Sequence, residues 1–290
     1  MFKISDLFKT SDEISSILPN IIVESAILTR NIMQGLHSSR FSGKGETFWQ
    51  FKEYRQDDSV SSIDWRKSAS LNKLLVKEKE NETSKLIYFH YDKTKSMSFK
   101  SSKGIKSKYY ISVLITLTLS RIFLRNRENI FHFKDKKTPI KSSYDLSSFD
   151  KSFLSEESNL NFPDTSLIKN NSSVFIFSDF FYEIKYLKTF MNELKKKNVE
   201  GYIFQILDPA EVDFNIQEYS LVHDMENDSK LLMDSSYIYK ESYKKNLKAL
   251  QIDLNYLCDS YNWHYLFYKT SDALKPFILE IIKKTKLRKN

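Results

Sequence analysis

Short apolar runs alternate with segments of helical period over most of the chain after residue 85. Leu86 to Tyr91, Val174 to Phe177 and Tyr202 to Leu207 are apolar runs bounded by polar residues, as in strands buried on both faces. Between them, residues 107–125 and 185–197 have the apolar spacing of helices. Strands that alternate with helices predict an α/β fold with a doubly wound, mostly parallel sheet.

The remaining segments extend this pattern towards the C-terminus. Two further strands are expected at residues 129–133 and 264–268, and a hairpin at residues 219–234. Helices are expected at residues 144–158, 239–260 and 272–287.

The first 84 residues have a different pattern. Residues 11–36 predict an N-terminal helix that Pro19 interrupts. Residues 37–70 hold no sustained period, which is typical of loops and short strands, and residues 71–84 suit an edge strand with exposed charges. We therefore expect an N-terminal helix and irregular β segment in residues 1–84, followed by the sheet domain in residues 85–290.

Charge and hydropathy limit the partners of this chain. Its 290 residues carry a formal net charge of +8 at pH 7, but the lysines are scattered among glutamates, so no specific nucleic acid is expected. The first residues are charged where a signal peptide needs an apolar core. The longest apolar run, Tyr109 to Leu119, is too short to span a membrane. These features predict a cytoplasmic protein without a membrane span.

Acidic and hydroxyl side chains follow two of the predicted strands. Asp92, Thr94 and Ser96 occupy alternate positions after the first buried strand, and Asp179 follows the strand that ends at Phe177. Ligands of doubly wound sheets bind beyond the carboxyl ends of the strands. One carboxylate and two hydroxyls are hard oxygen ligands that suit Mg²⁺, with Mn²⁺ as a substitute, and Asp179 would bind through a water. The pattern predicts a metal-ion-dependent adhesion site for a partner's Asp or Glu.

Several kinds of enzyme lack their required residues here. A haloacid dehalogenase needs a second aspartate two residues after the first, where this chain has Thr94. The chain contains no Gly-rich phosphate loop and no nucleophile elbow. The five histidines are isolated, and the single cysteine, Cys258, lies in an apolar helical pattern that predicts a buried thiol. The residues therefore give no support to these particular kinds of enzyme.

A dense signature precedes the sheet domain. It comprises Gly43, Gly45, Glu46 and Phe48, then Phe51-Lys52-Glu53-Tyr54 with Asp58, then Ile63-Asp64-Trp65-Arg66-Lys67-Ser68-Ala69. With Asp92 to Met97 and Ser178-Asp179-Phe180, these motifs resemble the bacterial domain-of-unknown-function family number fifty-eight, the MoxR-associated von Willebrand factor A-like proteins. The resemblance covers about residues 35–280, and the Ile63 to Ala69 element is its most specific part.

The resemblance implies a von Willebrand factor A-like, Rossmann-type fold and a non-enzymatic protein-interaction module without catalytic residues. The expected partner is a MoxR-type AAA+ ATPase, in the assembly or activation of other proteins. The signature residues are expected to be structural: Gly43, Gly45, Glu46, Tyr54, Asp58, Asp64, Trp65, Arg66 and Ser68.

The chain departs from the family pattern at several positions. Asp57 stands where the family has a glycine, and Lys52 replaces an arginine. Thr94 replaces the first serine of the metal site and keeps the hydroxyl. The family's downstream threonine has no firm match, and Thr165 is a guess at its position. The predicted metal site is accordingly a degenerate one.

Two alternatives concern the N-terminal segment. Asp64, Trp65 and Arg66 are predicted to form a structural lock with a buried tryptophan, whereas an exposed Trp65 would serve a partner. The alternative function is a nucleic-acid-binding protein or a metal-dependent phosphodiesterase that uses Asp57, Asp58 and Asp64.

Overall fold

A computed structural model describes residues 20–34, 48–56, 58–79, 84–102, 104–132, 140, 162–214, 220–223, 230–233 and 236–286. They fall into two compact units. Residues 39–84 contain the smaller unit, and the helix α1, at residues 20–34, groups with residues 85–290 in the larger one. The sequence predicts a division at residue 84, which would place α1 in the N-terminal segment. In the structure, Glu24 of α1 accepts a hydrogen bond from the Tyr110 hydroxyl of the larger unit.

The smaller unit is a two-stranded antiparallel sheet with one short helix. Strands β1 (Phe48–Glu53) and β2 (Leu75–Lys79) pair, and helix α2 (Trp65–Leu71) lies between them in sequence. The predicted edge strand is confirmed by β2. The helix α2 was not predicted, although Asp64 caps it by accepting a hydrogen bond from the Lys67 amide at 3.0 Å.

The larger unit contains the remaining elements. Its strands are β3 (Leu86–Tyr91), β4 (Asn129–His132), β5 (Ser172–Ser178), β6 (Glu200–Leu207), β7 (Ser220–His223), β8 (Lys230–Met233) and β9 (His264–Lys269). Its helices after α1 are α3 (Lys108–Arg125), α4 (Ile184–Lys195), α5 (Pro209–Asp213), α6 (Ser236–Ser260) and α7 (Leu274–Lys286). Every predicted strand after residue 85 is confirmed, and β7 and β8 form the predicted hairpin. The predicted helix at residues 144–158 lies outside the described residues.

Five strands form one parallel sheet in the order β4-β3-β5-β6-β9. The chain passes from β3 to β4 on one side and then returns to β5 on the other side of β3. This reversal creates a topological switch point between β3 and β5, where doubly wound sheets bind ligands beyond their carboxyl ends.

Helices cover both faces of this sheet. On one face, Phe123 of α3 packs against Phe89 and Phe175 of the sheet. On the other face, Leu187 of α4 and Cys258 of α6 belong to the buried apolar cluster. The predicted class is therefore confirmed: an α/β fold with a doubly wound parallel sheet, compatible with a Rossmann-type, von Willebrand factor A-like domain. Among the described helices, none combines the length and apolar character needed to cross a membrane.

Candidate functional site

Three neighbouring strands of the sheet each end at a buried aspartate. Asp92 follows β3, Asp179 follows β5 and Asp208 follows β6, with exposed fractions of 5%, 2% and 0%. Burial of a carboxylate is costly unless hydrogen bonds or a cation compensate it. The partners of these three side chains therefore define the site.

The turn after β3 is organised by Asp92. One carboxylate oxygen accepts a hydrogen bond from the Thr94 amide at 2.8 Å, and the other accepts one from the Ser178 hydroxyl at 2.7 Å. The Thr94 and Ser96 hydroxyl oxygens lie 3.1 Å apart. Asp92 therefore fixes the turn that presents both hydroxyls and connects it to the end of β5.

Asp179 joins the turn to β5 and β6. Its Oδ2 accepts a hydrogen bond from the Ser96 hydroxyl at 2.7 Å, and its carbonyl oxygen accepts one from the Gln205 amide group at 3.0 Å. The next residue, Phe180, has a φ of 60°, in the left-handed region that is uncommon for bulky side chains. Such backbone conformations occur at functional sites more often than elsewhere.

A buried lysine completes the arrangement. Lys108, the first residue of α3, has an exposed fraction of 0%, and its Nζ lies 2.8 Å from Asp179 Oδ2 and 2.5 Å from Glu211 Oε1. The exposed ring of Phe181 lies 5.4 Å from the same ammonium group. Lys108 is thus enclosed between two carboxylates.

Glu211 is held in place by the start of α5. Asp208 accepts a hydrogen bond from the Ala210 amide at 2.8 Å, and Glu211 Oε2 accepts one from the Asp208 amide at 2.8 Å, which forms a capping box. The second oxygen of Asp208 accepts a hydrogen bond from the Ser101 amide at 3.0 Å. The capping box therefore orients Glu211 and also anchors the loop that follows the β3 turn.

The pKa shifts follow from this burial and pairing. Burial raises the pKa of Asp92, and the hydrogen bonds from Ser178 and Thr94 partly oppose it. Burial alone would lower the pKa of Lys108, but Asp179 and Glu211 together outweigh it and raise that pKa. Lys108 is therefore a stable internal cation at neutral pH.

The structure brings together the four residues predicted for the metal site, Asp92, Thr94, Ser96 and Asp179. It places the guessed fifth residue elsewhere. Thr165 precedes β5 by seven residues, at the amino end of that strand, and its hydroxyl donates to Glu193 of α4 at 2.7 Å. Thr165 is therefore not part of this site.

Sequence reasoning missed Lys108 and Glu211. A lysine at the start of an otherwise apolar helix was one available signal. The Asp208-Pro-Ala-Glu211 spacing of a capping box was another.

The side chains fit a divalent ion only in part. The 3.1 Å between the two hydroxyl oxygens matches neighbouring ligands of Mg²⁺, which lie about 3 Å apart when each is about 2.1 Å from the ion. The two carboxylates fit less well, because Asp92 accepts from the Thr94 amide and the Ser178 hydroxyl, and Asp179 Oδ2 accepts from Ser96 and from the Lys108 ammonium. Among the described residues, no group of three or more His, Cys, Asp or Glu side chains is arranged to hold a metal. As arranged, the carboxylate oxygens that a Mg²⁺ or Mn²⁺ ion needs as ligands are therefore already engaged with protein donors.

The signature residues of the smaller unit have local structural contacts. Asp58 forms an ion pair with Lys52 at 2.7 Å, and that contact lowers the pKa of Asp58. The buried Ser68 hydroxyl accepts a hydrogen bond from the Leu75 amide at 2.9 Å, which connects α2 to β2. Trp65 is 63% exposed, so the prediction of a buried tryptophan is wrong. Trp65 is the first residue of α2, directly after the capping residue Asp64, and its ring lies outside the packed side of the helix.

The phosphodiesterase alternative gains no support from these contacts. Asp58 and Asp64 each accept a hydrogen bond from a nearby backbone amide, of Arg55 and Lys67 respectively. Asp57 lies outside the described residues, as do the signature residues Gly43, Gly45 and Glu46. The alternative stays a prediction.

The fold and the site define a doubly wound α/β protein with acidic, hydroxyl and lysine side chains at its switch point. Residues 50–146 match the model of the family described as "Protein of unknown function DUF58". The match confirms the resemblance predicted from the signature motifs. It includes Asp64 and Ser68 of the smaller unit and Asp92, Ser96 and Lys108 of the site. No curated protein shows a significant match to the chain.

Proposed function

We propose that this protein is a non-enzymatic interaction module whose site, a degenerate metal-ion-dependent adhesion site, receives an acidic side chain of a partner protein. The observation that carries this proposal is the convergence of Thr94 and Ser96 after β3 with Asp179 after β5. The three side chains meet at the switch point, where doubly wound sheets bind their ligands.

The hydrogen bonds leave one hydroxyl adjustable. Ser96 uses its proton on Asp179, so Thr94 is the donor in the contact between the two hydroxyls. A hydroxyl proton rotates to suit its acceptor, so Thr94 can donate to an incoming carboxylate instead.

Lysines beside the turn favour an acidic ligand. Lys93 and Lys95 flank Thr94, and Lys95 is exposed. Positive charge around a binding site raises the association rate of an acidic partner and discriminates against basic ones. An aspartate or glutamate on the partner's surface is therefore the ligand that this turn suits.

The family resemblance supports a particular class of partner. We propose a MoxR-type AAA+ ATPase that presents the acidic residue, with the assembly or activation of other proteins as the joint task. The binding step needs no catalytic residue in this chain.

Binding to the purified MoxR-type ATPase of the same organism tests this function. Thr94→Val removes the hydroxyl but keeps the shape of the side chain, and Lys95→Glu reverses the charge at the turn. Each variant is expected to weaken binding, measured by biolayer interferometry, at least about tenfold, which corresponds to 1.4 kcal/mol.

Matched controls on α4 separate the site from general surface effects. Thr189→Val and Lys188→Glu make the same changes at exposed positions of that helix and are expected to bind like the wild type. Wild-type affinity in both Thr94→Val and Lys95→Glu would refute a role of the turn in binding. Absence of any complex with the ATPase would refute that choice of partner.

A further inference from the structure

The position of Lys108 is unusual for a lysine. It is the first residue of α3, after the capping residue Ser107, and its side chain is completely buried. A cation at a helix N-terminus is opposed by the helix dipole. A buried ammonium also loses its hydration. Local helix preference therefore does not explain this lysine, and its contacts in the site must compensate for both effects.

The contacts of Lys108 join three separate elements. Its Nζ binds Asp179 at the end of β5 and Glu211 in α5. Through Asp179 Oδ2, it is also linked to the Ser96 hydroxyl of the turn after β3. Carboxylates from different strand ends repel one another unless a positive charge lies between them.

We infer that the Lys108 ammonium is the resident cation of this site and takes the place of a divalent metal ion. It occupies the oxygen of Asp179 that faces Ser96, and it neutralises carboxylates that a metal would otherwise have to neutralise. The turn of Thr94 and Ser96 is thereby held ready without metal. This inference concerns the same site as the proposed function. It rests on the proposed function only for the statement that the turn binds a partner.

Removal of this charge should create a metal site. Lys108→Met keeps the length and apolar stem of the side chain but leaves Asp179 and Glu211 without their cation. The two carboxylates, with the hydroxyls of Thr94 and Ser96, then form an oxygen set that suits Mn²⁺. Electron paramagnetic resonance of Mn²⁺ measures binding directly, since bound Mn²⁺ loses the sharp signal of the free ion.

The wild type is expected to leave the Mn²⁺ signal unchanged at concentrations where Lys108→Met binds one ion. In Lys108→Met, Mn²⁺ at about 100 times its Kd is expected to raise the melting temperature by several degrees, with no shift in the wild type. Lys106→Met is the matched control, because Lys106 lies two residues earlier and forms an exposed ion pair with Glu24. This control is expected to bind no Mn²⁺.

Two results would overturn the inference. One is stoichiometric Mn²⁺ binding by the wild type that Asp92→Ala abolishes, because the site would then be a metal site despite the lysine. The other is a folded Lys108→Met protein that gains no Mn²⁺ affinity. If Lys108→Met does not fold, the double variant Lys108→Met/Glu211→Gln replaces it, because it removes one of the two unpaired charges. A folded double variant without Mn²⁺ affinity would likewise overturn the inference.

The Mn²⁺ measurement needs no partner protein. Loss of partner binding with the expected Mn²⁺ results would therefore refute only the proposed function. Partner binding in EDTA together with Mn²⁺ binding by the wild type would refute only the role of Lys108.

Discussion

Ser96 donates a hydrogen bond to Asp179 over 2.7 Å and so connects the ends of two parallel strands, 83 residues apart in the chain. The donor lies in the turn after β3, and the acceptor follows β5. Asp179 is buried, so its hydrogen-bond partners determine the free-energy cost of burying its side chain. Together with the Ser178–Asp92 hydrogen bond, this contact holds the turn against the end of β5, beside Lys108.

Replacement of the hydroxyl should show the energetic weight of that contact. Ser96→Ala is expected to lower the free energy of unfolding by about 1.5–3 kcal/mol, as for other hydrogen bonds to charged groups. Urea denaturation of the wild type and Ser96→Ala measures this difference in the free energy of unfolding. Ser166→Ala is the control, because it removes an exposed serine bond to Asp164 of the same length, 2.7 Å, and should cost at most about 0.5 kcal/mol. Equal losses in both variants would contradict a special role for Ser96.

Gly201 in β6 is expected to tolerate no side chain. A Cβ there would lie 1.8 Å from Cδ2 of Trp263, a buried ring whose Nε1 donates to the Val199 carbonyl at 3.1 Å. Gly201→Ala should therefore reduce the free energy of unfolding by about 1–3 kcal/mol through overpacking. Gly104→Ala, where a Cβ meets nothing within 4 Å, is the control and should stay within about 0.5 kcal/mol. Thermal melts of both proteins suffice, and a stable Gly201→Ala protein would disprove the prediction.

The smaller unit should depend on Ser68 rather than on Trp65. Ser68→Ala leaves the Leu75 amide without its 2.9 Å acceptor, at a cost of about 1–3 kcal/mol. Trp65→Ala removes an exposed ring and should cost about 0.5 kcal/mol or less. Hydrogen exchange at the Leu75 amide should accelerate in Ser68→Ala alone. Acceleration in Trp65→Ala would restore the idea of a tryptophan lock.

Stability is expected to fall in mild acid because of His90. Burial, with the charge of Lys93 as a second cause, lowers the pKa of His90 to about 4 in the folded protein. In the unfolded chain, His90 binds a proton near pH 6.5, whereas in the folded protein it does so only near pH 4. The stability that the neutral ring contributes above pH 6.5 is therefore lost as the pH falls towards 4. The loss between pH 7 and pH 5 is about 2 kcal/mol.

The variant His90→Gln isolates this effect from other titrating groups. Burial also lowers the pKa of His132, so the wild-type curve contains contributions from both rings. Urea denaturation at several pH values gives the free energy of unfolding of the wild type and of His90→Gln. From pH 7 to pH 5, the wild type should lose about 2 kcal/mol more than the variant. Parallel curves would show that His90 does not titrate differently on folding.

The strands were predictable because burial on both faces leaves a simple trace in the sequence. Leu86 to Tyr91 was predicted with the bounds of β3, since a continuous apolar run between polar residues suits few other elements. Asp92 and Asp179 followed from the same reasoning, because parallel strands bring their carboxyl ends to one edge. The exposed Trp65 and the helix α2 that it begins were not predicted, since their short segment has no complete amphipathic period.

Lys108 shows where sequence reasoning ended. A lone lysine in a lysine-rich chain is most often solvated, and only the fold brings it to Asp179, 71 residues later, and to Glu211, 103 residues later. Such long-range pairings have no local period. The capping box at Asp208 was visible in the sequence, but its second role, holding Glu211 against the lysine, depended on the order of the strands.

Because Lys108 is buried, ionic strength affects its charge differently from the charge of the exposed Lys95. At physiological salt concentration, the interaction between solvent-exposed charges is largely screened beyond about 8 Å. Salt screens the interaction between buried charges much less. Lys95 is exposed, whereas Lys108 is sealed between Asp179 and Glu211. Added salt should therefore weaken the attraction of an acidic partner while the geometry that receives it persists.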